Sequence, residues 1–173
     1  MGYILHQVVP DGPLPHSKSA LRQAFHTKMK RMAAELWQHS PRYQRTNQIV
    51  PGLPRASYFK SIARLPRKQT SIVTQLITGH APLNKHLHRI GKADLPVCPS
   101  CHEHEETIPH FILHCPAHQA IRRLMMDQVP DEERNLTGLL ATHSNRKHLL
   151  NFVARTTRFR SVFGHITELP DQE

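Results

Sequence analysis

From Ser19 onward the apolar residues Leu21, Phe25, Met29, Met32 and Leu36 recur at spacings of three and four, and Trp37 closes the stripe. That recurrence places them on one face of a helix and predicts an amphipathic helix over 19–38, stopping ahead of Pro41. Arg22, Lys28, Lys30 and Arg31 take the opposite face. A stripe of Met and aromatic residues at this spacing is expected to be core rather than a ligand pocket.

Further along, Pro41, Pro51, Gly52 and Pro54 interrupt the pattern. A short helical run through Tyr58, Phe59, Ile62 and Leu65 stops at Pro66, which cannot continue a helix. Ile72, Val73, Leu76 and Ile77 predict a compact helix that Gly79 ends as a left-handed cap. Leu83, Leu87 and Ile90 continue on one face from Pro82 to Gly91. After a cysteine-bearing segment, Ile121, Leu124 and Met125 suggest one helix and DQVPDEERN a turn. Leu149, Leu150, Val153 and Phe159 suggest a final helix. The expected architecture is mostly α: a small helical domain with one embedded metal knuckle and irregular Pro-rich connections. Its organisation reads as an extended lead-in over 1–16, a basic helical segment over 17–93, the knuckle over 94–118 and a helical carboxy-terminal segment over 119–173.

Composition adds that 38% of the 173 residues are hydrophobic and that 14 are Pro. A chain of this length buries roughly two-thirds of its unfolded surface and does not depend on metal alone to fold. No run of 18 apolar residues occurs, and the start MGYILHQVVPDG lacks the basic lead and apolar middle of a secretory signal. A cytoplasmic or nuclear, non-secreted protein is therefore expected.

Charge changes the picture further. The formal net charge is +10, and residues 1–70 hold 12 Lys and Arg against only Asp11 and Glu35. No acid lies between Glu35 and Asp94, while Arg42, Arg45, Arg55, Lys60, Arg64, Arg67, Lys68, Lys85, Arg89 and Lys92 all do. A field of one sign attracts polyanions, and phosphate backbones are the commonest in a cell. Arg55, Lys60, Arg64, Arg67, Lys68, Lys85, Arg89 and Lys92 are the candidate contacts for RNA or DNA, bound largely without regard to sequence. Tyr43, Tyr58 and Phe59 are candidates to stack on unpaired bases.

All three cysteines fall within 18 positions, in the order Cys98-x2-Cys101-x8-His110-x4-Cys115. An odd number of thiols in a reducing compartment is poor disulfide material. Two thiolates from a tight turn, with a His and a third Cys after it, make a tetrahedral donor set suited to Zn2+. His114 stands in His-x3-His spacing with His110 and competes for the histidine position; His102, His104 and His118 are also near. Four protein ligands leave no open position for a reacting water, so the site is expected to be structural.

Taken together, LPRKQTSIVTQLITGHAPLNKHLHRI and CPSCHEHEETIPHFILHCPAHQAIR resemble the carboxy-terminal zinc-knuckle region of LINE-type (non-LTR) retrotransposon reverse transcriptases, especially fungal ones. The resemblance rests on Leu65-Pro66-Arg67, the Thr78-Gly79-His80 turn with Leu83 and Asn84, Cys98 and Cys101, Glu106-Thr107, and His110 with Cys115. WQHSPRY and LLNFVARTTRF are similar to that region's flanks, so it extends from about residue 17 onward. It implies the same four zinc ligands, a grip on RNA or target DNA, and a structural turn in which His80 satisfies a backbone group.

The chain lacks the Tyr-x-Asp-Asp polymerase motif, and its first third offers only Asp11 and Glu35 where a two-metal nuclease needs converging carboxylates. No enzymatic activity is expected. The rival expectations are an interaction module that docks on a polymerase or self-associates, and a non-functional remnant of a decayed element.

Overall fold

The computed structural model describes residues 17–51 and 56–170. Contacts divide the chain after Tyr43 into two units. The expected lead-in over 1–16, and Arg55, lie outside the described residues.

The first unit contains helix α1 (Lys18–Gln38). Ser17 starts it: its extended backbone and its Oγ, which accepts the Ala20 N–H at 3.1 Å, satisfy a donor that the first turn leaves without a partner. The helix forms where the apolar period predicts, but the expected burial does not follow. No residue of α1 is buried, and Leu21, Phe25, Met29, Met32 and Leu36 are all exposed, Leu36 at 74%. The stripe is a surface feature rather than core.

The second unit begins at Gln44, one residue into α2 (Tyr43–Ile49), and runs through α3 (Ala56–Ala63), α4 (Arg67–Thr78) and α5 (Asn84–Arg89), then a π-helical turn (His110–His114) and a 3₁₀ turn (Pro116–His118). It continues through α6 (Gln119–Met126), a 3₁₀ turn (Asp131–Glu133), α7 (Leu136–Ala141), α8 (His143–Thr156) and α9 (Arg160–Phe163). The mostly helical expectation holds, and the sole β pairing among the described residues is the isolated bridge between Val97 and Glu105.

Helix α8 is the hub, packing on α7, α6 and α4. Its Leu149, Leu150, Phe152 and Val153 meet Ile72, Val73, Leu76 and Ile77 of α4 and Leu139 and Leu140 of α7 in one core. Arg146 ties α8 to α3: its guanidinium lies 5.0 Å from the centre of the Tyr58 ring and donates to Ser61 Oγ at 2.9 Å. That leaves Tyr58 half-buried under a cation rather than free for a base, whereas Phe59 is exposed.

Several boundaries depart from the sequence reading. Helices α2 and α7 carry no clear signal in the sequence, because each is too short to show a full apolar period. Phe159 is not part of the last long helix: Thr157 turns left-handed at φ 53°, α8 ends there, and Phe159 enters the core from the following turn. Helix α5 begins at Asn84 rather than at Pro82, with Leu83 extended and buried ahead of it. Gly79 caps α4 with φ 81°, as its position predicts.

Candidate metal centre

The cysteine-bearing segment leaves α5 and folds back beside it. Cys98 N–H donates to His104 C=O at 2.8 Å and Glu106 N–H donates to Pro96 C=O at 2.8 Å, closing a hairpin-like loop. Within it His102 N–H donates to Cys98 C=O at 2.9 Å, and His102 takes φ 60°. That tight turn aims Cys98 and Cys101 to one side. His102 thus serves through its backbone, its side chain remaining exposed.

The second pair of donors depends on the π-helical turn. In an α-helix a residue five positions on lies about 140° round the axis, facing away. Here Cys115 N–H donates to His110 C=O at 2.7 Å, an i to i+5 bond that brings position 115 back over position 110. Thr107 Oγ1 starts the turn by accepting the His110 N–H at 3.0 Å. Phe111 and Ile112, fully buried, anchor it in the core. His114 is exposed and outside the donor cluster, so His110 is the histidine of the set.

The donor atoms of Cys98, Cys101, His110 and Cys115 all lie within 4.8 Å of one another. Cys98 and Cys115 sulfurs are 3.8 Å apart, and Cys101 Sγ is 3.4 Å from His110 Nε2. A tetrahedral zinc with Zn–S near 2.3 Å and Zn–N near 2.0 Å requires about 3.8 Å and about 3.5 Å for these pairs. The geometry therefore fits zinc.

The electrostatics fit as well. Burial, reinforced by the adjacent Cys98 thiol, pushes the Cys115 thiol up to about 12, so this proton leaves readily only for a cation. Cys101 moves the other way, because backbone N–H groups of Glu103 and His104 favour its thiolate. Burial, followed by the neighbouring His104, holds His110 below the ordinary histidine value and keeps its ring neutral as a ligand. Three thiolates around a divalent ion leave one net negative charge. Arg122 stands against it, donating to Cys115 C=O at 2.7 Å.

Residues 42–121 match a protein family described as zinc-binding in reverse transcriptase. The match spans α2 to the start of α6 and includes all four donors, and zinc is the metal that this donor set holds. No curated protein and no solved structure matches the chain.

Around the donors sits a support whose residues fall within the resembling segments but whose mutual contacts the sequence does not give. Glu106 is fully buried, and its carboxylate accepts Arg158 Nε and Nη2, both at 2.6 Å, and the Asn84 N–H at 2.6 Å. One side chain thus joins the metal loop, the start of α5 and the segment after α8. Nothing in the spacing from Glu106 to Arg158 announces this contact. Below the π turn, Phe111 packs against Phe152 at 5.5 Å, Phe159 at 5.4 Å and the buried His118 at 5.5 Å. His118 therefore belongs to the aromatic core and not to the metal.

The candidate phosphate contacts are spread over the second unit. Lys60, Arg64, Arg67 and Lys68 fall at the junction of α3 and α4, where Lys68 Nζ donates to His165 C=O at 3.1 Å. Arg67 and Lys68 open α4 with no acid in its first turn. Lys85 is paired with Glu105, so its charge is already compensated, whereas Arg89 and Lys92 are exposed and have no carboxylate partner among the described residues. Arg45, on α2, joins Lys85 and Arg89 in lining one cleft. His80 departs from expectation: its ring makes no backbone hydrogen bond among the described residues and stands edge-on to His86 at 5.2 Å.

Proposed function

We propose that this chain is a nucleic-acid-binding accessory domain from the tail of a LINE-type reverse transcriptase, fungal in type. The zinc knuckle pins the fold and the preceding basic helices grip RNA or DNA. The observation that carries this reading is the acid-free, basic stretch from Leu36 to Ala93, which lies largely within the region matching the reverse-transcriptase zinc-binding family. Arg64, Arg67 and Lys92 sit exposed on the second unit, where a phosphate backbone can reach them. Phe59 is exposed on the same basic segment and is the ring best placed to stack on a base. The chain acts by binding and catalyses nothing itself, in the nucleus or the cytoplasm.

The test is fluorescence anisotropy of a labelled single-stranded RNA over a salt series. Each phosphate contact contributes roughly −0.7 to the slope of log affinity against log salt, so five give about −3.5. Reversing Arg64, Arg67 and Lys68 to Glu should flatten that slope with zinc content unchanged. An affinity indifferent to salt overturns the reading. Primer extension or hybrid cleavage that co-purifies with the chain and depends on Asp11 or Glu35 would overturn its non-catalytic part.

One observation favours a second reading. The exposed apolar stripe of α1 suits a helix that pairs with α1 of another copy, making the chain a self-associating module. Molar mass by light scattering, for wild type and for Phe25→Ser with Met29→Ser, distinguishes the two.

A further inference from the structure

A cleft of about 540 Å³ opens between α2 and α5, beside the metal loop. Its charges do not balance. Glu106 is engaged by Arg158 and by the Asn84 N–H, and Glu105 by Lys85. Once those pairs are formed, Arg45 and Arg89 remain in the cleft, and neither has a carboxylate partner among the described residues.

Arg45 lies over Gly79 and Arg89 is held by a ring nitrogen. The Arg45 side chain lies on Gly79, where a Cβ would stand 2.9 Å from Arg45 Nε and would displace the guanidinium from this seat. Arg89 Nη2 donates to His86 Nδ1 at 3.0 Å. A guanidinium has no acceptor, so His86 Nδ1 must be the bare nitrogen and its proton sits on Nε2. The His86 ring is braced edge-on by His80. Burial and then repulsion from Arg89 bring the Arg45 guanidinium below its ordinary value. Burial, Arg89 and His80 do the same to His86, which stays neutral.

Two like charges facing one cleft repel, and folding tolerates such an arrangement where a ligand of opposite sign relieves it. Planar guanidinium groups match the oxygens of phosphate in paired hydrogen bonds, a geometry that lysine does not offer. The remaining wall includes Leu83, Pro96 and Ile108.

We propose that this cleft is a phosphate-binding site in which Arg45 and Arg89 together grip one phosphate of a nucleic-acid strand. The phosphate assignment stands on the cleft alone; the strand rests on the function proposed above. Gly79 and His80 thereby gain a role in shaping the site, through the seat for Arg45 and the brace for His86.

The experiment uses the full zinc-loaded chain and two probes, inorganic phosphate and a short single-stranded RNA. Thermal unfolding is followed at fixed ionic strength as phosphate replaces chloride, and RNA affinity is followed over a salt series. Wild type should show a saturating rise of its midpoint with phosphate, and R45Q and R89Q should each lose the saturating part. Each of the two should also flatten the RNA salt slope by about 0.7, one single-strand phosphate contact. R45K keeps the charge and should keep the slope while binding RNA more weakly, a result that a merely structural role for Arg45 does not produce. Arg89 is exposed at the end of a short helix, so R89Q tests the site even if R45Q folds poorly.

Phosphate responses and RNA slopes identical in wild type, R45Q and R89Q would overturn the site and leave general nucleic-acid binding standing. Saturable phosphate binding that both variants lose, with no RNA binding by wild type, would support the phosphate site but overturn the strand and the proposed function with it.

Discussion

Helices α1 and α4 carry the same kind of apolar stripe in the sequence and end in opposite situations. Ile72, Val73, Leu76 and Ile77 of α4 are buried against α8, whereas none of the 21 residues of α1 is buried. Periodicity therefore reports which face of a helix is apolar, and burial depends on whether the chain supplies a surface to cover it. In the second unit that surface is organised by long-range pieces: the Phe111–Phe152–Phe159 cluster, the Glu106–Arg158 pair and the four metal donors. The difference predicts that perturbations in the second unit are costly and that equivalent ones in α1 are not.

The largest effect should come from the metal. Chelating zinc, or Cys115→Ser, removes a contribution on the order of 10 kcal/mol from the folded metal loop. Hydrogen exchange should then show protection lost across residues 97–118 and spreading into the aromatic cluster, with α1 unchanged. Protection retained over 97–118 after metal loss would show that the core alone holds the loop.

Next in size is Glu106→Ala, which leaves the largely buried Arg158 without its carboxylate and the Asn84 N–H without its acceptor. Breaking a buried pair from one side costs about 3–5 kcal/mol, read from urea unfolding of the zinc-loaded chain. A loss below about 1 kcal/mol would mean that water reaches Arg158 and that the pair is not a lock.

The direct comparison of core with exposed stripe follows. Phe152→Ala should cost about 3–5 kcal/mol as a cavity in the core, and Phe25→Ala in α1 no more than about 0.5 kcal/mol. Equal losses in dilute monomer would show that α1 packs against something after all.

His118 sets a smaller, pH-dependent effect. Burial, then Arg122, holds it below the ordinary value of 6.5 in the folded protein. As pH falls through 6.5 the unfolded chain takes up a proton that the folded one refuses, so stability drops with falling pH, and the drop ceases once pH is below the folded value. The slope is at most about 1.4 kcal/mol per pH unit. Urea unfolding of wild type and His118→Gln between pH 5 and 7.5, with zinc content monitored, should show the shallower slope in the variant. Identical slopes would assign the acid sensitivity to the metal donors alone.

The smallest effect belongs to α1. Ser17→Ala removes the cap and should cost that helix about 1 kcal/mol, seen as reduced helicity near residues 18–22 with no change in the urea midpoint of the second unit.

Much of this protein is legible in its amino-acid sequence alone. The apolar period sets out α1 and α4, Gly79 marks a left-handed cap, and the Cys-x2-Cys spacing with two later donors names the metal site, because each of these signals is local. What spacing leaves open is His110 against His114. The π turn decides it, since an i to i+5 bond, and not an α-helical one, carries Cys115 back to the cluster. The fate of the α1 stripe, the withdrawal of Lys85 to Glu105, the partial burial of Tyr58 under Arg146, and the meeting of Arg45 with Arg89 are likewise decided only in three dimensions. Residues far apart in sequence, such as Glu106 and Arg158, leave no periodic trace of their contact. Charge and burial are properties of surroundings, and surroundings exist only once the helices have packed.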